Sequence, residues 1–254
     1  MTRRPECRSI LGVRVDATSY PDATEQILNW ARAGDSRAVA AANVHVVMEG
    51  YDDPGCRNAL GVADLVTPDG MPLVWMLRRL GLREQTRVYG PDLTLCVCEA
   101  ASREGIAIGL YGGGPEALEA LQKGYRARFP QLRIAYAYSP PFRPLTPDED
   151  ESVVRAINDS GARILLVGLG CPKQERWVAE HRGRVQAVMM AVGAAFDFHS
   201  GRVKQAPQWM QRAGLEWLFR LVMEPRRLWR RYFKHNPRFL WLALWQLLRY
   251  KERE

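Results

Sequence analysis

The chain is poor in the residues that announce a metal or redox protein. It has four histidines and five cysteines in 254 residues. Cys7, Cys56, Cys96, Cys98 and Cys171 show neither CxxC pairing nor a His-rich ligand spacing. An odd count without paired spacing argues against a disulfide framework and fits a reducing compartment. No apolar run approaches the roughly 18 residues of a membrane-spanning helix. The start Met1-Thr-Arg-Arg-Pro5 has no apolar core, so no secretory signal is expected. Neither G-x-G-x-x-G nor G-x-x-x-x-G-K-[ST] occurs, which leaves the common dinucleotide and P-loop fingerprints unsupported.

What is present is an ordinary globular composition, 47% apolar and 25% charged, long enough for a sizeable core. The net charge of +8 is unevenly placed. Residues 202–254 carry 13 Lys/Arg against 4 Glu, a balance of +9, whereas residues 1–201 stand at −1. Ten of the 24 aromatics fall in the same last 53 residues. Such asymmetry points to an anionic partner for the tail, either nucleic acid or phospholipid.

The centre of the chain is Ile164-Leu-Leu-Val-Gly-Leu-Gly-Cys-Pro-Lys-Gln-Glu175. A short apolar run reads as a strand buried on both faces. Gly168 and Gly170 then permit close backbone approach, Pro172 suits a helix start, and Lys173, Gln174 and Glu175 are expected above it. The alternative is an ordinary strand-to-helix connection.

Further strands and helices alternate around it. Residues 20–34 form a helix stopped by Gly34. Residues 39–43 read as a strand ending in Asn43, a helix cap or a ligand contact. Residues 63–66 lead as a strand into Thr67-Pro-Asp-Gly70. There Asp69 is a turn residue and also a carboxylate held where a general base would be useful. Arg87-Val-Tyr-Gly-Pro-Asp92 precedes a helix, with Asp92 expected as its cap and Arg87 as a surface ion-pair partner. Residues 107–111 are a strand leading to Gly112-Gly113-Gly114 and a helix, a turn suited to phosphate. A strand over 133–137 exits through Tyr136, Tyr138 and Ser139. Thr146-Pro-Asp-Glu149 is a capping box. A strand over 187–192 places Asp197 just past its end. The pattern predicts a Rossmann-like α/β fold, a mainly parallel sheet with helices on both faces. The predicted units are an α/β body over 1–201 and a helical, basic, aromatic-rich appendage over 202–254.

In that tail Arg226, Arg230 and Lys234 share one helical line, Arg227 and Arg231 the next, with Leu228 and Tyr232 opposite. Pro237 is expected to break the helix before the apolar stretch 239–248. Trp and Leu at such density favour a helix lying in the headgroup region over a solvated nucleic-acid face.

Taken together, the blocks Thr67–Gly70, Arg87–Leu93, Tyr111–Gly114, Val167–Glu175, Gly193–Asp197 and Gly214–Arg220 with Glu224-Pro-Arg-Arg-Leu228 resemble the WecG/TagA/CpsF family of bacterial glycosyltransferases, in order along nearly the whole chain. The resemblance implies an inverting transfer, without metal or cofactor, from a UDP-sugar to a polyprenyl-diphosphate-linked saccharide in cell-envelope or exopolysaccharide synthesis. It implies a cytoplasmic enzyme peripheral on the inner membrane face. Asp69 matches the base, Gln174 a residue beside the donor sugar, and Arg87 belongs with the catalytic groups or the cationic grip. Asn43, Gly112, Gly113, Tyr138, Gly168, Gly170, Pro172, Lys173, Glu175 and Asp197 fall in the donor region. Arg220, Arg227, Arg230 and Arg231 match the grip on the lipid diphosphate. ManNAc, its uronic acid, glucose and glucuronic acid all suit as donor sugars, and self-association is a further expectation. Where many relatives have Thr, this chain has Ala41. The rival readings are a non-catalytic nucleotide-sugar-binding regulator and a nucleic-acid-binding protein.

Overall fold

A computed structural model of the protein describes residues 4–251; the expectation for the start of the chain falls partly on residues 1–3, outside the described residues. The first element is a hairpin absent from the expectations above, β1 (Cys7–Ile10) and β2 (Val13–Asp16), paired antiparallel. Its two-residue turn has Leu11 at φ 51° and Gly12 at φ 85°, the left-handed pair that matches strand twist. The Val66 N–H donates to the buried Asp16 carboxylate at 2.7 Å and pins the hairpin to the main sheet.

The elements that follow in chain order are α1 (Tyr20–Ala33), β3 (Arg37–Ala42), α2 (Val44–Asp52), α3 (Pro54–Val62), β4 (Leu65–Pro68), α4 (Met71–Arg79) and α5 (Gly90–Glu104). Next are β5 (Ile108–Gly112), α6 (Pro115–Arg128), β6 (Ile134–Tyr138), α7 (Pro147–Asp159), β7 (Ile164–Gly168), α8 (Lys173–Glu180), β8 (Val188–Ala191) and α9 (Gly193–His199). The chain ends in α10 (Gln208–Arg212), α11 (Glu216–Met223) and α12 (Pro225–Lys251). Local chemistry sets several boundaries. Ser19 caps α1 and Gly34, at φ 71°, stops it; Asn43 caps α2 through the His45 and Val46 amides; the Thr146 capping box opens α7.

Six strands form one parallel sheet in the order β4-β3-β8-β7-β5-β6, as the alternation predicted. Residues alternate between faces, so Leu165 and Val167 pack toward α2, α3, α4, α8 and α12, and Ile164 and Leu166 toward α1, α5, α6 and α9. The connection from β5 runs outward to β6, whereas that from β7 runs the other way to β8. The crevice between β5 and β7 is therefore the switch point where open α/β sheets bind ligands.

Two local expectations are corrected. Asp92 does not cap α5: Tyr89 holds the cap position, and Asp92, in the first turn, accepts a hydrogen bond from the Tyr20 hydroxyl at 3.4 Å. Pro237 does not break the tail, because α12 runs through it. A proline removes one helix bond, but Leu228, Tyr232, His235, Phe239 and Ala243, buried on one face to either side of it, hold the helix against the body.

Candidate active site

A cavity of about 1250 Å³ opens along the carboxyl edge of the sheet. The ends of β3, β4, β5, β7 and β8 all reach it, and α11 and α12 close one side with Arg220, Arg227 and Arg231. Asp69 and Gln174, more than a hundred residues apart in sequence, line the same space.

Asp69 is held from three directions. Its own amide donates to Ala42 O at 2.8 Å, the Gly90 N–H donates to its Oδ2 at 2.7 Å, and the Arg87 Nε–H donates to its carbonyl oxygen. Burial pushes the Asp69 carboxyl up to about 6, against the opposing pull of the Arg87 guanidinium. A rigid carboxylate with that affinity for a proton is suited to accepting one near neutral pH. Gly90 is needed here, since a Cβ would lie 3.0 Å from the Ala41 Cβ and 3.1 Å from Asp69 Oδ2.

At the switch point the glycines are a steric requirement. Gly112 lies opposite Gly168 in the ladder, and a Cβ on Gly112 would sit 2.5 Å from Gly168 O. A Cβ on Gly168 would sit 2.6 Å from the Phe196 ring. Gly113, Gly168 and Gly170 line the cavity, but Gly112 is used for this packing and does not. Helices α6 and α8 start at the cavity without a side-chain cap, so the positive ends of their dipoles face it. Gln174 brackets the turns: its Oε1 accepts from the Gly170 and Gly193 amides, each at 3.1 Å, and its Nε2 donates to Glu175 Oε1 at 2.9 Å.

Several expected positions fall elsewhere. Glu175 is buried beneath the turn instead of pointing into the space above it, because the Gln174 amide and the core draw it inward. Pro172 occupies the cap position of α8 and Tyr138 lies on the outer strand, behind Tyr111 at a 6.2 Å ring distance; neither lines the cavity. The aromatic wall is instead Tyr111, Trp177 and His181, stacked at 4.5 and 3.9 Å. Lys173, Asn43 and Asp197 do line it, with Asp197 paired to Arg227 at 3.3 Å.

Arg87 is not the surface residue expected. It is enclosed behind Asp69, donates to Glu216 Oε2 at 2.5 Å and to Gln211 Oε1 at 3.3 Å, and so ties α10 and α11 to the Asp69 turn. The Tyr89 hydroxyl donates to the other Glu216 oxygen at 2.8 Å. Gln211 lies outside every motif and Glu216, although inside the Gly214–Arg220 block, was given no role there, since each reaches Arg87 across more than 120 residues of chain.

Of the four tail arginines, Arg230 turns away and lies over Trp229 at 5.4 Å. Arg231 faces the cavity with no acidic partner within 4.0 Å among the described residues, and burial lowers the affinity of its guanidinium for its proton. The Nε atoms of Arg220 and Arg231 are both buried without a hydrogen-bond partner. A desolvated cation with unused donors is a site for an anion.

A parallel sheet with a carboxylate, glycine turns, uncapped helix starts and three arginines around one carboxyl-edge cavity defines a class: α/β proteins that take phosphorylated ligands at the switch point. The family model described as glycosyl transferase WecG/TagA/CpsF family matches residues 8–253. The chain therefore belongs to that family and is a glycosyltransferase of cell-envelope polymer synthesis.

Proposed function

We propose that the protein transfers a sugar, with inversion, from a UDP-sugar to a saccharide carried on polyprenyl diphosphate. The observation that carries this reading is the raised, rigid carboxylate of Asp69 sharing a cavity with the switch-point glycines and the half-buried Arg231, which has no acidic partner within 4.0 Å among the described residues. Asp69 takes the proton of the acceptor hydroxyl as its oxygen bonds to the anomeric carbon, and the bond from that carbon to the diphosphate breaks as UDP departs. Displacement with inversion needs one base and support for the leaving group, so no second carboxylate enters the scheme.

Gly113, Gly168 and Gly170 admit the nucleotide diphosphate beside the starts of α6 and α8, Lys173 adds charge there, and Asp197 and Asn43 offer polar contacts. Gln174 keeps the two turns in register beside the donor sugar. Arg220, Arg227 and Arg231 hold the lipid diphosphate, and Arg87 positions Asp69 and α11. Residues 1–201 supply the transfer chemistry and residues 202–254 complete the cavity.

The tail also fits a membrane surface. No helix among the described residues is long and apolar enough to cross a bilayer. Yet α12 is apolar on two faces. Phe239 and Ala243 fill the core, while Phe233, Leu240, Trp241, Leu244, Trp245 and Leu248 are exposed on another face. Trp217, Leu218, Val222 and Met223 on α11 extend the exposed surface. Interleaved arginines and tryptophans suit the headgroup layer of an anionic leaflet.

A thermal-shift panel of UDP-sugars, followed by product analysis on a polyprenyl-diphosphate-linked acceptor, tests the reading. A UDP-sugar should raise the melting temperature and give an inverted glycosidic product. The absence of transfer with every UDP-sugar, alongside transfer from another activated sugar, would remove the UDP assignment.

A further inference from the structure

Beside the cavity, helices α2 and α12 meet at three side chains: His45 and Glu49 on the first and His235 on the second. Their donor atoms lie within 4.8 Å of one another. Glu49 Oε1 is 3.7 Å from His45 Nδ1 and 3.4 Å from His235 Nε2. Two donors about 2.0–2.1 Å from one tetrahedral ion stand about 3.4 Å apart, so both edges are near the size a zinc-type ion requires.

The carboxylate of this trio lacks a direct contact with a basic side chain. Glu49 has no Lys or Arg within 4.0 Å among the described residues; its only ion-pair neighbours are the two histidines. An imidazole binds a metal ion in its neutral form, through a ring nitrogen that carries no proton. His45 Nδ1 and His235 Nδ1 are buried with no hydrogen-bond partner, and His235 is 3% exposed. Of the two, His45 Nδ1 faces the Glu49 carboxylate, and His235 turns its other nitrogen, Nε2, to it; a buried ring nitrogen without a partner is costly unless something satisfies it.

We infer that His45, Glu49 and His235 form a binding site for a zinc-type divalent cation that fastens α12 to α2. Three protein donors leave a fourth coordination position, and His45 itself lines the cavity. The mechanical consequence follows from the helix: Arg231 lies one turn before His235, so an ion gripping His235 fixes the guanidinium at the cavity wall. The neighbouring Arg238 pairs with Asp52 at 2.8 Å at the same joint, so a second, metal-free contact already aligns the two helices. The site is independent of the identity of the sugar donor and of the base.

The test is metal binding by the full-length protein, stripped with chelator and shown to remain folded by circular dichroism. Zn²⁺ is expected to bind at one equivalent per chain and Co²⁺ to give the visible bands of a tetrahedral site. Hydrogen exchange across residues 228–243 should slow on loading. Glu49→Gln and His235→Gln should each loosen Zn²⁺ by about tenfold or more. A folded wild-type protein that takes up no stoichiometric Zn²⁺ at micromolar metal would overturn the site. So would binding unaltered in both variants, and loading without slower exchange in α12 would overturn the clamp.

Discussion

The raised proton affinity of Asp69 makes a claim about stability as well as about catalysis. Its carboxyl moves from an ordinary value of 3.8 to about 6 in the fold, chiefly through burial. A shift of about 2 units corresponds to about 3 kcal/mol, at 1.36 kcal/mol per unit. The sign follows from proton uptake: between pH 4 and 6 the folded protein binds the proton that the unfolded chain has released. Stability due to this group is intact below pH 4 and falls as pH rises through 6. Asp69→Asn keeps an oxygen to accept from the Gly90 amide and removes the titration. In urea denaturation the variant should gain on the wild type by about 3 kcal/mol between pH 4 and pH 8, with about half of that present at pH 5. Transfer by the variant should drop by about 10²–10⁴-fold, while UDP-sugar binding persists, and wild-type kcat/KM should rise through pH 6 to a plateau. Parallel stability curves for the two proteins would refute the burial argument, and full turnover by the variant would refute the base.

Arg87→Gln leaves Glu216 half-enclosed without its cation, so a loss of about 3–5 kcal/mol is expected in denaturation. The activity profile should also move to higher pH, because the guanidinium that lowers Asp69 is gone; an unmoved profile would show that Arg87 acts on stability alone. Gly168→Ala drives a methyl into the Phe196 ring and should cost about 1–3 kcal/mol, partly recovered by adding Phe196→Leu. Recovery of nothing would place the strain elsewhere. Trp241→Ser with Trp245→Ser, at positions 67% and 50% exposed, should leave stability within about 0.5 kcal/mol and weaken sedimentation with anionic vesicles. Unchanged partitioning would contradict a lipid-facing surface. These point changes are cleaner than removing residues 202–254, since truncation would uncover the part of the core that Phe239 and Ala243 fill.

What the chain determined by itself was whatever is encoded over a few neighbouring residues. Apolar β-branched runs gave the strands, Asn43, Thr146 and Gly34 gave helix ends, and the glycine turns marked the carboxyl edge, because those preferences act between residues close in sequence. The hairpin over residues 7–16 was missed, its strands being only four residues each. Tertiary packing alone decided that Pro237 lies within a helix, that Glu175 turns inward, and that Arg87 serves Glu216 instead of solvent. It also set His45 and Glu49 against His235, about 190 residues further on, a meeting that no spacing within either helix announces. The cause is physical: a side chain's partner across the fold depends on which helix faces the core covers, and burial then shifts the proton affinity of Asp69 and Arg231.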